Sequence, residues 1–476
     1  MINRMLFVFL FGTLSLSSFA QEKWDLQRCV AYALANNISV KQQDIQARLA
    51  ELNYTQSKLS KYPTANLNGN VAYSSGRNQN PVTFDLITTG YLSSGFSLQS
   101  GVELFNWYNK KNSIAANELE TKAAFASVDK LKNDIALNVA AAYLQVLLSK
   151  EQANVSGVQV AQTIAQLDNT KKLVTAGTLP ELNAAQLEAQ LANDSANLVT
   201  AQGNIAQNML LLKAYLNLDA ATPFDVATPD IKSIPLDDIA SLQPEMVYAL
   251  ALQNMPLQKV NELRLQAGEK YVAAARGAMY PSISAFGNLG SSFNNKAKRA
   301  NGSSSFFAPV GSVTVGGTKY EVLPLQPFNN YTYEKIPYFG QVNQNFRQSI
   351  GISIGVPIAN GGSLRTAYQR SKLNLQSLEL QKQQDDQTLK QDIYKAYTDA
   401  TTSLQKYNAA TKTVAANQKA FDYANKRYGI GLLNTIDLIT TQSNLYSARI
   451  QGLLAQYEFV FKMKVLEFYK GEGIKL

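Results

Sequence analysis

The chain of 476 residues contains no histidine, so the commonest general base and the commonest nitrogen ligand for metals are both missing. It shows no Gly-rich phosphate loop, no serine nucleophile elbow and no other catalytic constellation. The lone Cys29 cannot form an intrachain disulfide and reads as a buried apolar residue. No Met or His cluster argues for a metal, and no cofactor is expected. Asp437 lies three residues after Asn434. With Asn434 as N-cap it would occupy the third helical position, where an acidic residue favours a helix start without further function. Gly177 and Gly431 each interrupt a long helical pattern. These residue types suit helix ends and ion contacts, so the expectation is a protein that is not an enzyme.

The composition is that of a folded chain: 46% hydrophobic, 17% charged, rich in Tyr and Phe. The net charge of +9 is spread among acidic residues along helical stretches, whereas nucleic-acid binding would cluster it with aromatics on one surface. The first twenty residues have the parts of a secretory signal: Arg4, an apolar run from Leu6 to Leu16, and Ser18-Phe19-Ala20 as a small-x-small cleavage site. The run is too short and too interrupted to span a bilayer, and no later segment has the roughly 18 consecutive apolar residues of a membrane helix. An exported chain can still cross a membrane with strands apolar on one face only.

Four segments alternate in that way. Leu67, Val71 and Tyr73 face away from Asn66, Asn68 and Asn70, and Phe96, Leu98 and Val102 away from Ser97, Gln99 and Glu103. Ile283, Ala285 and Leu289 alternate with Ser284 and Asn288, and Ile350, Ile352 and Ile354 with Ser349 and Ser353. The strands are placed at about 64–74, 92–105, 282–293 and 346–358. A soluble sheet with one buried face would alternate alike, but the small polar character of the second face suits a wet lumen. Strands facing lipid must close into a barrel, and four cannot, since about eight are needed merely to enclose side chains. Copies must therefore pool strands, and three copies would build a 12-stranded barrel.

The chain is also written twice. Val102 to Asn106 has a counterpart in Val356 to Asn360, and Gly177, Leu191 and Tyr215 fall on Gly431, Leu445 and Tyr469, all at an offset of 254 residues. Tyr62-Pro63 matches Tyr280-Pro281 at an offset of 218. Residues 21–242 and 243–476 are read as two structural repeats, the second carrying an insert at 294–345 that reads as one long loop. Uninterrupted helical periodicity over 112–174 and 364–428 predicts helices of roughly 90–100 Å at about 1.5 Å per residue. Shorter helices are expected at 38–61, 182–218, 256–279 and 435–469, with an irregular belt over 219–244 around Pro223, Pro229 and Pro235. Helices this long must pack side by side. An exported structural coiled coil without transport activity is the competing reading, and it leaves the duplicated strand pairs unexplained.

Signal, duplicated halves, paired strands and paired long helices resemble the TolC outer-membrane efflux family over essentially the whole mature chain. The carriers are Trp24-Asp25-Leu26 with Ala31-Tyr32-Ala33-Leu34 near the start, and Tyr428-Gly429-Ile430-Gly431 through Ile436-Asp437-Leu438 to Leu445-Tyr446. The resemblance implies an α+β membrane protein, a homotrimer whose 12-stranded β-barrel, four strands per chain, is continuous with a long α-helical barrel. It implies an outer-membrane location with the helical part in the periplasm, and a duct for efflux or type I secretion of small molecules such as drugs. The implied partners are outer-membrane lipid, a periplasmic adaptor and an inner-membrane pump, with no nucleic acid.

By that resemblance the adaptor-contact tips are Gly177, Thr178, Leu179 and Pro180, and Gly431, Leu432 and Leu433. The periplasmic aperture would involve Tyr428 as gate tyrosine, Asn183 in the place of its acidic partner, and Asp437 as a ring carboxylate. Thr440 stands where a second ring carboxylate would be and Leu433 where a gate arginine would be. Three Asp437 side chains around one constriction would favour a bound cation or a raised pKa.

Overall fold

The computed structural model describes residues 23–79, 84–229, 231 and 234–471. The expected signal segment, 1–20, lies outside the described residues. The chain divides into two compact units: a helical one (Met1–Leu52, Glu118–Ala267 and Leu375–Leu476) and a sheet-bearing one (Asn53–Asn117 and Gly268–Asn374).

Asp25 starts α1 (Leu26–Asn36) by accepting a hydrogen bond from the Arg28 amide, and α2 (Ile38–Leu59) follows. Strands β1 (Thr64–Gln79) and β2 (Leu86–Phe105) then lead to α3 (Asn109–Thr175) and α4 (Glu181–Leu216). The chain continues with α5 (Pro244–Asn254) and α6 (Pro256–Gly277), runs through β3 (Ser282–Asn294), and ends with β8 (Arg347–Gly355), α8 (Ser363–Gly429) and α9 (Thr435–Phe468). The two long helices have 67 residues each, about 100 Å. Ala-rich, Pro-free runs make them long, and glycine turns end them. No helix among the described residues is long and apolar enough to cross a membrane.

In the helical unit the core gathers Cys29 and Ala33 of α1, Val139, Tyr143 and Val146 of α3, and Leu212 and Leu216 of α4. The irregular belt is sewn onto it. The Trp24 amide donates to the Asp225 carbonyl, the Ala227 amide to the Trp24 carbonyl, and the Tyr143 hydroxyl to Ala227 at 2.7 Å, while Val226 is buried beneath. A single 3₁₀ turn at Ile239–Ser241 precedes α5.

In the sheet unit the order is β1-β2-β3-β8, antiparallel throughout. The register sets Leu67 opposite Leu98 and Leu98 opposite Leu289, and the same face continues through Ala285 to Ile352. Asn68, Ser97 and Gly290 line up on the other face. β1 and β2 are longer than the alternation indicates, reaching Gln79 and starting at Leu86.

The segment 294–345 corrects the expectation of a structureless loop. β4 (Lys298–Phe306) pairs with β7 (Phe328–Lys335), and nested inside them β5 (Gly311–Val315) pairs with β6 (Thr318–Val322), before α7 (Tyr338–Gln344) leads to β8. These strands are exposed almost throughout, so no buried face imposes the alternation by which strands are read. The inner turn is Gly316-Gly317, both at positive φ as a tight primed hairpin turn requires. Gln341 locks the base: its side chain donates to the Asn294 and Ile336 carbonyls and accepts from the Asn294 amide.

Candidate functional site

Both helix pairs of the helical unit end in the same turn. Gly177 has φ +74° and Gly431 φ +75°, a left-handed backbone that glycine adopts without steric cost. At the first tip the Gly177 amide donates to the Val174 carbonyl and the Thr178 amide to Leu173; at the second, Gly431 donates to Tyr428 and Leu432 to Arg427. This two-bond pattern satisfies the carbonyls left open where α3 and α8 stop. The tips diverge in the next residues. Pro180 starts α4 with no side-chain cap, while Asn434 starts α9 by accepting from the Asp437 amide at 2.7 Å.

The expected aperture residues are placed as follows. Asp437 is exposed, and its Oδ2 accepts from Asn434 Nδ2 at 2.8 Å, so the capping geometry is present while the carboxylate still meets solvent. Thr440 is exposed and donates to its own helix at Ile436. Asn183 is half-buried and its amide donates to the Pro180 carbonyl. Tyr428 is buried within its own chain, its phenol 2.8 Å from Thr170 and 3.3 Å from Thr435. Among the described residues Tyr428 and Asn183 are therefore engaged separately. Of the tip residues, Gly177, Thr178, Pro180, Gly431 and Leu432 are exposed, while Leu179 and Leu433 pack against the small core of Phe421, Tyr428, Leu438 and Leu445.

A feature that spacing alone did not reveal runs up α3. Ser149, Ser156, Thr163 and Thr170 stand at every seventh position and are all buried. Each makes a hydrogen bond to another helix: Ser149 to Asn208, Ser156 to Tyr446, Thr163 to Asp194 and Gln442, and Thr170 to Tyr428. Asp194 is the carboxylate of this ladder, and accepts from Thr163, Gln159 and Gln190. It lies between Leu187 and Ala201 at the same spacing. A charged residue on an apolar heptad stripe was the signal available for it.

Asp225 anchors the belt. Burial opposes its ionisation, but hydrogen bonds from Lys150 and the Val226 amide, with the charges of Lys150 and Lys23, outweigh that and hold its carboxyl below the usual range. Burial above all, reinforced by the Asp25 charge and opposed by Arg28, pushes the Cys29 thiol up to about 12. That thiol is inert packing. Among the described residues no group of acidic residues and cysteine is placed to hold a metal ion.

The sheet unit carries the other half of the machinery. Ile350, Ile352 and Ile354 on edge strand β8 are 92%, 69% and 68% exposed, and Leu67, Val71 and Tyr73 on the opposite edge strand are exposed as well. A soluble protein covers such a face or blunts its edges. A one-sided apolar sheet with open edges, in a chain that also has paired long helices, is the make-up of an outer-membrane channel protein.

Comparison with known proteins agrees. The chain belongs to the Outer membrane efflux protein family, whose profile matches residues 30–218 and 247–463. It is 21% identical over 427 residues to the outer membrane protein TolC of Escherichia coli strain K12, covering 88% of this chain and 76% of that one. It is likewise 21% identical over 434 residues to the probable outer membrane lipoprotein SilC of Salmonella typhimurium, covering 89% and 80%. The crystal structure of the outer membrane protein VceC of Vibrio cholerae superposes with a TM-score of 0.72 at 15% identity, over 94% of this chain and 97% of that one. The chain is an efflux channel protein of the outer membrane.

Proposed function

We propose that the chain is one third of an exit duct: three copies pool their four-stranded sheets into a 12-stranded barrel and their helices into a periplasmic tunnel. The two passes, 21–242 and 243–476, are repeats of one unit, and residues 1–20 are an export signal. The unclosed sheet carries this reading, because backbone groups at its two edges cannot be left facing lipid. The sheet's register supports it too, since all four apolar sets fall on one face and leave Asn, Ser and Gly for the lumen.

The tips at Gly177 to Pro180 and Gly431 to Leu433 receive a periplasmic adaptor that links the duct to an inner-membrane pump. Exposed Ile430, Leu432, Leu182 and Ile436 around the two turns offer the apolar contact such docking uses. Near the same end Asp437 lines a constriction, three carboxylates about the threefold axis, where a cation binds and small molecules such as drugs pass. Tyr428, Asn183 and Thr440 belong to the same aperture.

Outer-membrane fractionation followed by gel migration with and without heating tests the assembly. An unheated band at three chains that collapses to one on boiling is the expected result. A detergent-extracted chain that stays folded as a monomer would overturn it.

A further inference from the structure

The turn that takes β2 into α3 holds two bulky aromatic residues in the left-handed region, Trp107 at φ +49° and Tyr108 at φ +63°. That backbone crowds Cβ against the carbonyl, and large side chains adopt it rarely. The chain supplies its own control. At the offset of 254, the turn from β8 into α8 places Gly361 and Gly362 at φ +62° and +79°. The same path is therefore open to glycines, yet the first pass keeps two aromatics on it. Retained strain of this kind points to a use.

Core packing is not that use. Trp107 is 45% and Tyr108 59% exposed. Their rings form a cluster with Phe105 and Tyr280: Trp107 lies 5.1 Å from Tyr280 and 5.5 Å from Phe105, and Tyr108 lies 6.0 Å from Phe105. Phe105 pairs with Ile283, on the apolar face of the sheet, so the cluster prolongs that face past its last rung. The turn is held firmly. Asn109 donates to the Ala274 carbonyl at 2.7 Å, and α6 comes so close that a Cβ on Gly277 would stand 2.6 Å from the Trp107 carbonyl oxygen. Lys111 sets its ammonium over the Tyr108 ring at 5.5 Å, adding a positive charge at the outer edge of the cluster.

We propose that Trp107 and Tyr108 are a lipid anchor: the rings seat at the boundary between headgroups and acyl chains, and Lys111 meets a lipid phosphate. Rings with an apolar body and a polar edge favour that boundary. The inference rests on the reading that the sheet spans the outer membrane, and on that reading the leaflet is the periplasmic one. One anchor per chain, present in the first pass and absent from the second, fixes the depth of the sheet.

The chain has two tryptophans, so Trp24→Phe leaves Trp107 as the single probe. Phosphatidylethanolamine–phosphatidylglycerol vesicles are made with a nitroxide on the headgroup or deep in the acyl chain. The headgroup nitroxide is expected to quench Trp107 at least about two-fold more than the deep one, as an interfacial ring requires. Should Trp24→Phe fail to fold, the difference between the native chain and Trp107→Phe gives the same signal. A depth reference comes from Ile350→Trp in a chain carrying Trp24→Phe and Trp107→Phe. If Ile350→Trp is quenched and Trp107 by neither probe, the rings face water or a neighbouring copy and the anchor is overturned. If Ile350→Trp is not quenched either, it is the membrane reading that fails.

Discussion

Thr170 and Tyr428 lie 258 positions apart in the chain, and their hydroxyls meet at 2.8 Å, so the ends of α3 and α8 are tied together just before both helices turn. The bond is buried and Thr435 joins it from α9. Removing the phenol with Tyr428→Phe leaves two buried hydroxyls short of a partner and should cost about 1 kcal/mol. Thermal unfolding followed by circular dichroism measures the cost. An unchanged midpoint with a raised leak current would instead assign Tyr428 to contacts between copies.

The two tip glycines should be equally intolerant of a side chain. Gly177→Ala and Gly431→Ala each force alanine into the left-handed region, at about 1–2 kcal/mol. Gly429, the last residue of α8, has no positive φ, and Gly429→Ala should be neutral or stabilise by about 0.5–1 kcal/mol. Limited proteolysis at the tips distinguishes them: faster cleavage is expected for the first two variants and not for the third.

Charge and capping at α9 can be separated. Asp437→Asn keeps the Asn434 bond to the backbone amide, so stability should change by only a few tenths of a kcal/mol while conductance and cation block change in a planar bilayer. Asn434→Ala removes the cap and keeps the charge, costing about 1 kcal/mol. If Asp437→Asn leaves the currents untouched, the carboxylate is a helix-start residue alone.

The belt should loosen in acid. Asp225 has a lowered pKa in the folded chain, so its contribution to stability is present at neutral pH, above the unfolded-state value, and is lost as pH falls through the folded value. Hydrogen exchange at the amides of Trp24 and Ala227, which bond across this segment, should quicken over that acid range after correction for intrinsic rates. Lys150→Met should shift the loss to higher pH. An unaltered pH dependence in that variant would show that the Lys150–Asp225 pair does not hold the belt.

Local pattern was enough for the long helices and for the existence of the four strands of the main sheet. Helices end where glycine or proline interrupts a long periodic run, as at Gly177 and Pro180, and a two-residue period marks a strand wherever one face must differ from the other. These are properties of neighbours in the chain; the matches at an offset of 254 residues and the family resemblance are likewise legible in the sequence. The nested hairpins at 298–335 escaped because neither of their faces is buried, leaving no contrast for alternation to display. Three matters belonged to the tertiary structure alone. Strand register decided that the four apolar sets share one face, since a slip of one residue would send any of them to the polar side. Packing decided that Ser149, Ser156, Thr163 and Thr170 form a bonded ladder, because a hydroxyl's partner comes from helices tens to hundreds of positions away. The backbone path decided that Trp107 and Tyr108 take the left-handed turn that Gly361 and Gly362 take without strain, a conformation imposed by where β2 ends and α3 begins.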